Sequence, residues 1–310
     1  MELYVKVILT AILLSLVLTP LLRKLSYWVG AVDHPDTRKV HSRVMPRLGG
    51  PAVFLSFLTT VILYVPLERN FQGLLLGALI ILLVGIIDDI RGLSPINKLI
   101  GQIIAVLSFI SFGNQVEFLT NPFDGLFYLG ALSIPVTIFW MVGATNALNL
   151  IDGLDGLASG VSGIALFTFF IIALINQQVV VAIAALALLG SVIGFLKYNF
   201  YPAKIFLGDS GSLFLGYMIS GLSVMGLLKG VTMVTFIIPM LVLGVPILDT
   251  FFAIVRRYKF KKPIFQADKE HLHHKLLGLG LSHKQTVLFI YLLSAGFGIG
   301  AVLFARNGFY

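Results

Sequence analysis

Residues 73–90 read GLLLGALIILLVGIIDDI, fifteen uncharged residues that run without interruption into Asp88 and Asp89. As a helix rising about 1.5 Å per residue the segment is roughly 27 Å long, close to the ~30 Å hydrocarbon core of a bilayer. A soluble helix would carry a polar face; this one has none before its acidic end, so it reads as a membrane span. Similar runs flank it. Ten spans are expected, at about 3–22, 48–66, 73–90, 96–113, 131–148, 158–176, 178–196, 212–229, 231–254 and 285–305. Only Asn176, Gln177 and Gln178 divide the pair at 158–196, and Pro246 should kink or break the ninth span. Between spans four and five, Asn121-Pro122-Phe123-Asp124-Gly125 sits between two short apolar stretches, which predicts an external hairpin near 115–129. The expected fold is all-α: a polytopic integral membrane helical bundle of about ten transmembrane helices, forming one domain over 1–310.

The whole composition agrees. Of 310 residues, 58% are hydrophobic and 12% charged, with a mean hydropathy of +0.98. A soluble domain carries roughly 25% charged residues. This excludes a soluble globular enzyme, a disordered chain and a simple nucleic-acid binder. The absence of cysteine excludes disulfides, thiolate nucleophiles and Cys-ligated zinc. The first apolar run lacks a basic n-region and a small-residue cleavage site, so it reads as a retained span and not a signal peptide.

Charge sets the expected orientation. With the loop after span one placed in the cytoplasm, that side receives 18 of the 22 Lys and Arg residues, leaving Lys6, Arg69, Lys229 and Arg306 outside. The net charge of +8 is then a positive-inside signature, with no nucleic-acid partner required. Both termini are expected outside. All six histidines and ten of the 14 acids fall on the cytoplasmic side too. The positive-inside rule does not demand that, so polar chemistry is gathered on one face, built from loops at about 23–47, 88–98, 149–158, 197–211 and 255–284.

Four clusters on that face carry chemistry. Asp88 and Asp89 end span three, where acids oppose the helix dipole and repel each other; ionisable groups at membrane depth usually serve function, here cation binding or proton abstraction. The bland alternative is a polar helix end. Asn146, Asn149, Asp152 and Asp155 follow within ten positions, with Gly153 and Gly156 allowing tight turns. Oxygen donors at that density suit a hard divalent cation, and an Asx-rich turn is the alternative. Phe206-Leu207-Gly208-Asp209-Ser210-Gly211-Ser212 precedes span eight. It is either simple helix capping or a helix start that attracts phosphate while Asp209 holds a metal. His271, His273 and His274 lie in the longest basic loop, suited to phosphate or sugar recognition; a solvated basic loop is the alternative, and zinc is disfavoured without Cys or an H-E-x-x-H pattern. Asp249, close to Pro246, should be structural or support another side chain. Lys39, His41, Arg43 and Arg47 form a basic patch in the first loop. Metal-ligating acids, cations and a phosphate-binding helix start are the parts of phosphoryl transfer, and their place at the membrane edge makes a lipid one substrate.

These motifs resemble the polyprenyl-phosphate N-acetylhexosamine-1-phosphate transferases. The resemblance rests on Asp33-His34-Pro35-Asp36-x-Arg38-Lys39-x-His41, on Pro46-Arg47-Leu48-Gly49-Gly50, on Asp88-Asp89, and on the 146–158, 206–216 and 271–274 segments, in order along nearly the whole chain. Within that superfamily the Asp-His-Pro-Asp box and the His-x-His-His loop look like the bacterial undecaprenyl-phosphate GlcNAc-1-phosphate transferases, which start teichoic acid, enterobacterial common antigen or O-antigen synthesis. The resemblance implies a Mg²⁺-dependent sugar-1-phosphate transferase of the bacterial cytoplasmic membrane, with Mn²⁺ as a substitute, joining UDP-GlcNAc to undecaprenyl phosphate and releasing UMP. It implies a homodimer. By motif, Asp209 and Asn149 would ligate the metal. Asp88 would deprotonate or orient the lipid phosphate with Asp89 assisting, and Asp152 and Asp155 would lie in the nucleotide pocket. Phe206 could stack on uracil, and His271, His273 and His274 would meet the diphosphate and sugar. Lys39, His41, Arg43, Arg47, Lys98 and Asn146 complete the expected substrate contacts. Two alternatives stand beside this reading: a phospho-N-acetylmuramoyl-pentapeptide transferase, and a secondary transporter. The transporter fits less well, since its acids would lie at the midplane and not at the helix ends.

Overall fold

The structure is a computed structural model that describes residues 1–35, 43–120, 126–227, 237–261 and 271–306. Helices dominate it. In chain order they are α1 (Glu2–Val29), α2 (Gly49–Tyr64), α3 (Arg69–Arg91), α4 (Pro95–Ser111), α5 (Ser133–Leu150), α6 (Leu157–Ile175), α7 (Val179–Asn199), α8 (Gly208–Leu227), α9 (Ile237–Val242), α10 (Gly244–Lys259), α11 (Leu272–Gly278) and α12 (His283–Arg306). Among the described residues six helices are long and apolar enough to cross a membrane, and α2 and α4 are shorter apolar ones. The protein is a multi-pass membrane helical bundle.

Burial sorts the helices by position. On α7 nearly every side chain from Val181 to Val192 is buried, and α8 is enclosed along its described length. A helix with no polar face belongs inside the bundle, as α7 does. On α1 only every fourth residue is buried (Val7, Ala11, Ser15, Thr19), while Leu9, Leu13, Val17 and Leu21 are exposed and suited to lipid. Five hydroxyls inside the bundle bond within their own helix: Thr19, Ser56, Thr60, Thr137 and Thr145 each donate to the carbonyl four residues back. Where hydroxyls bond across helices they tie the bundle together, as Ser15 does to the Ser191 carbonyl (2.7 Å) and Trp140 Nε1 to Ser223 Oγ (3.0 Å).

Most expected spans sit within a few residues of a helix, including the division at 176–178. Three details differ. Helix α1 continues through Pro20 to Val29, so the first polar loop begins at Gly30 and not near residue 23. A proline in a membrane helix is tolerated because neighbours re-satisfy the freed backbone. The expected ninth span at 231–254 is divided: residues 228–236 lie outside the described residues, and the break falls at Leu243, between α9 and α10. Pro246 does not break the helix. It sits in the first turn of α10, where its missing N–H leaves no helix bond unmade. The hairpin expected near 115–129 is present as an antiparallel pair, Phe118–Thr120 with Leu126–Tyr128, Leu119 opposite Phe127. A second small ladder joins Val32–Asp33 to Met45–Pro46 and closes the first polar loop.

Candidate active site

The polar ends of α3, α4, α5 and α8 meet beside the 45–50 segment. Close backbone approach makes this possible. A Cβ at Gly50 would collide with the backbone of Ser210 and Gly211, and one at Gly85 with Ser210 from the other side, so the start of α8 is wedged between α2 and α3.

Asp89 occupies the start of α8. Its Oδ1 accepts the amide of Asp209 (2.9 Å), and its Oδ2 accepts the amide and hydroxyl of Ser210 (3.0 and 2.7 Å). Arg47 Nε lies 3.2 Å from Oδ1, and the Asp89 side chain is wholly buried. The first amides of α8, expected to attract a substrate phosphate, are therefore held by a protein carboxylate. Asp89 caps the first turn of α8 and does not line the neighbouring cavity.

Asp88, one residue earlier, points elsewhere. Its Oδ1 accepts the amide of Leu93, and its Oδ2 lies 2.7 Å from the Lys98 ammonium. The same ammonium stands 3.1 Å from Asp209 Oδ2. Asp88 and Asp209, 121 residues apart, thus converge on one positive group. Asp209 Oδ1 accepts the carboxamide nitrogen of Asn149 (2.8 Å), which also donates to Ser212 Oγ (2.8 Å), and Arg47 reaches Asp209 at 3.9 Å. Burial works against the Arg47 charge, but Asp89, Asp209, Asp33 and Asp152 together outweigh it and hold its pKa above the ordinary arginine value.

These residues are the ones expected to hold a divalent metal. Among the described residues no group of three or more His, Asp or Glu side chains forms a ready cage. Magnesium does not need one: it commonly takes one or two carboxylates and completes its shell with water and phosphate. Two carboxylates that already share one cation, with a carboxamide 2.8 Å from one of them, fit that pattern. Asn149 shows its nitrogen to Asp209, so it would have to turn its oxygen inward to ligate.

Beside this network lies a cavity of about 720 Å³, within the range of small-molecule sites. Asp152, Asp155, Asp209, Arg47, Arg43, Phe206 and His274 line it. No hydrogen bond among the described residues reaches the Asp152 carboxylate. Burial first, and then the charge of Asp209, push its pKa up to about 8. Asp155 accepts the amide of Ala203 (2.9 Å) and so fixes Tyr201, Pro202 and Ala203, which form one wall.

Three expected substrate contacts are placed differently. Asn146 is locked to Gln102: its nitrogen donates to Gln102 Oε1 (2.6 Å), and Gln102 donates back (3.3 Å), joining α5 to α4 inside the bundle. It does not line the cavity. His273 is 3% exposed and packs over Gly153, where a Cβ would collide with its ring. Burial, with His274 and His271 beside it, pushes its pKa down to about 4. His271 is also buried and is held by Asp249; of the three histidines, only His274 lines this cavity. Lys39 and His41 lie outside the described residues. Sequence reasoning missed Tyr201 and His283, whose rings stack at 4.5 Å on the cavity wall, and Gln102. A lone glutamine in an apolar span was the available signal for the last, since such a group must find a partner. Nothing local marks the other two.

Comparison with known proteins turns on residues 71–227, from α3 to the end of α8, which match the profile of glycosyl transferase family 4. The chain belongs to that family. Its relatives cover nearly its whole length. A probable undecaprenyl-phosphate N-acetylglucosaminyl 1-phosphate transferase of Bacillus subtilis (strain 168) is 45% identical over 94% of this chain and 82% of its own. A decaprenyl-phosphate N-acetylglucosaminephosphotransferase of Mycobacterium tuberculosis is 35% identical over 92% of this chain and 78% of its own. A phospho-N-acetylmuramoyl-pentapeptide-transferase of Bacillus thuringiensis (strain Al Hakam) is 32% identical over 86% and 88%. In this glycosyl transferase family 4 member Asp88, Asp89, Lys98, Asn149, Asp152, Asp155 and Asp209 all fall within the matched residues, and Arg47 and His274 fall outside them.

Proposed function

We propose that this protein transfers N-acetylglucosamine 1-phosphate from UDP-GlcNAc to undecaprenyl phosphate, giving undecaprenyl-diphosphate-GlcNAc and UMP, as the first membrane step of a cell-surface glycopolymer pathway. The observation that carries this reading is the joining of a nucleotide-sized cavity to the Asp88–Lys98–Asp209 cluster at the ends of membrane helices. The Bacillus relative named for that chemistry, at 45% identity, supports it.

In the reaction a phosphate oxygen of the lipid attacks the phosphorus that bears the sugar. A new phosphorus–oxygen bond forms, the bond to the uridylate oxygen breaks, and UMP leaves with the electron pair. A one-step displacement is sufficient, because the lipid phosphate is already an anionic nucleophile. Lys98 and Arg47 offset the negative charge that gathers there. Asp88, at the membrane end of α3, orients the lipid phosphate or takes its proton. Asp152 and Asp155 receive the nucleotide, Phe206 gives uracil a flat face, and His274 meets the diphosphate and sugar. Asp209 and Asn149 would hold Mg²⁺, or Mn²⁺ in its place, an ion that neutralises diphosphate oxygens as the charge moves. Asp89 keeps α8 in place and does not touch substrate. The chain acts as a single domain in the bacterial cytoplasmic membrane, as a homodimer, with its site facing the cytoplasm and both termini outside; the distribution of Lys and Arg supports that orientation.

The test is UMP release by purified protein given undecaprenyl phosphate and, in parallel, UDP-GlcNAc, UDP-GalNAc or UDP-MurNAc-pentapeptide. We expect UDP-GlcNAc to be fastest and chelation of divalent cations to stop turnover. Release with the pentapeptide alone replaces this reading by the peptidoglycan one, and no UMP with any donor removes both.

A further inference from the structure

Asp249, on the sixth residue of α10, uses its two carboxylate oxygens separately. Oδ2 stands 2.8 Å from Nδ1 of His271, and Oδ1 accepts the backbone amide of Leu272, the first residue of α11, at 2.8 Å. Both side chains are 8% exposed. A carboxylate only accepts, so His271 must donate from Nδ1, which turns Nε2 away from Asp249.

The rest of the histidine segment follows from that anchor. The rings of His271 and His273 lie parallel within 3°, their centroids 6.0 Å apart, and His274 is 4.3 Å from His273. His273 fills the space over Gly153, and His274 reaches the cavity wall. Where these rings stand depends on where α11 begins, and α11 begins on Asp249.

We propose that Asp249 is the positioning residue of the histidine segment: one oxygen sets the orientation and tautomer of His271, and the other anchors the first amide of α11, so that His274 is presented to the cavity. What the cavity does rests on the activity proposed above; the tautomer is readable without turnover.

Asparagine separates the two halves of the clamp. In Asp249→Asn the carbonyl still accepts from Leu272, but the amide nitrogen is a donor facing Nδ1, so the ring proton must move to Nε2. Asp249→Ala loses both bonds. In ¹⁵N spectra of histidine-labelled protein in detergent, we expect His271 to be protonated on Nδ1 in the wild type and on Nε2 in Asp249→Asn. We expect kcat/KM for UDP-GlcNAc to fall about tenfold or more in Asp249→Asn, as for other residues that act by orienting a histidine. Asp249→Ala should fall further, and Asp249→Glu should recover part of the loss. The double variant Asp249→Asn/His271→Gln should be no slower than His271→Gln alone. An unchanged His271 spectrum in Asp249→Asn, or a loss in the double variant equal to the product of the single losses, overturns the proposal. If Asp249→Asn does not accumulate, Asp249→Glu carries the spectral test: Nδ1 protonation retained supports the clamp, and its loss overturns it. A wild type silent in the UMP assay removes the proposed function and leaves the spectral result standing.

Discussion

The acidic end of α3 and the acidic turn after α5 look alike in sequence, each with two aspartates, yet their carboxylates are partnered in opposite ways. At the end of α3 every carboxylate oxygen has a donor: Asp89 takes two amides, a hydroxyl and Arg47, while Asp88 takes an amide and Lys98. After α5, Asp155 holds one backbone amide, and Asp152 faces the cavity with a pKa pushed up to about 8. The first region is a finished structure whose charge is balanced within the protein. The second presents carboxyl groups to the space that a ligand would enter. A binding site needs both, one to hold its shape and one to respond.

The sharpest way to break this comparison is at Asp209, which touches both regions. Asp209→Ala should reduce UMP release about a thousandfold, the upper range for loss of one group that stabilises transition-state charge. Wild-type activity at limiting Mg²⁺ would sink the metal assignment. Next comes Asp89. Asp89→Ala leaves Arg47 and the first amides of α8 without their acceptor, and loss of one partner of a buried pair costs about 3–5 kcal/mol. Thermal unfolding in detergent should show a large fall for Asp89→Ala and a smaller one for Asp89→Asn. Equal falls for the two would mean that the charge is not what holds α8.

Asp152 tests the other region through pH. Its folded pKa lies above the unfolded value, so the folded state keeps a proton that the unfolded state has lost. The stability associated with Asp152 is therefore full at low pH and declines as pH rises toward about 8. Asp152→Asn should be more stable than the wild type, by a margin that grows from pH 5 to pH 8 and then levels off. A margin independent of pH would show that Asp152 is already ionised. The smallest effect is expected at Asn146. Asn146→Ala leaves Gln102 unpartnered and should cost about 1–3 kcal/mol of stability, with KM for UDP-GlcNAc within twofold of the wild type. A KM rise of tenfold would return Asn146 to the substrate.

The sequence makes much of this legible because polar residues stand out in an apolar chain. The spans, the hairpin, the division at 176–178 and the gathering of Asp88, Asn149, Asp155 and Asp209 could all be read before any coordinates. What it hid depends on pairs brought together by folding. Nothing local says that Asp89 and not Asp88 caps α8, since the choice is made by a helix 120 residues away. Nothing local says that Asn146 meets Gln102 while Asn149, one turn later, meets Asp209; a single turn of α5 separates a bundle contact from a site residue. The break at Leu243 escaped for the opposite reason. Pro246 is the conspicuous residue, yet the bend belongs three residues earlier, at Leu243.

The wedge of α8 between Gly50 and Gly85 has a consequence for anyone surveying variants of this protein. Asp209 is placed by atoms that are missing. Neither glycine has a side chain, and neither would be picked out by its chemistry. A single added methyl at either must push the first turn of α8, and with it the carboxylate at the meeting point of Lys98, Asn149 and Arg47. In a mutational survey these two silent positions will behave like members of the active site, intolerant of alanine, while bulkier changes on the lipid face of α1 pass unnoticed.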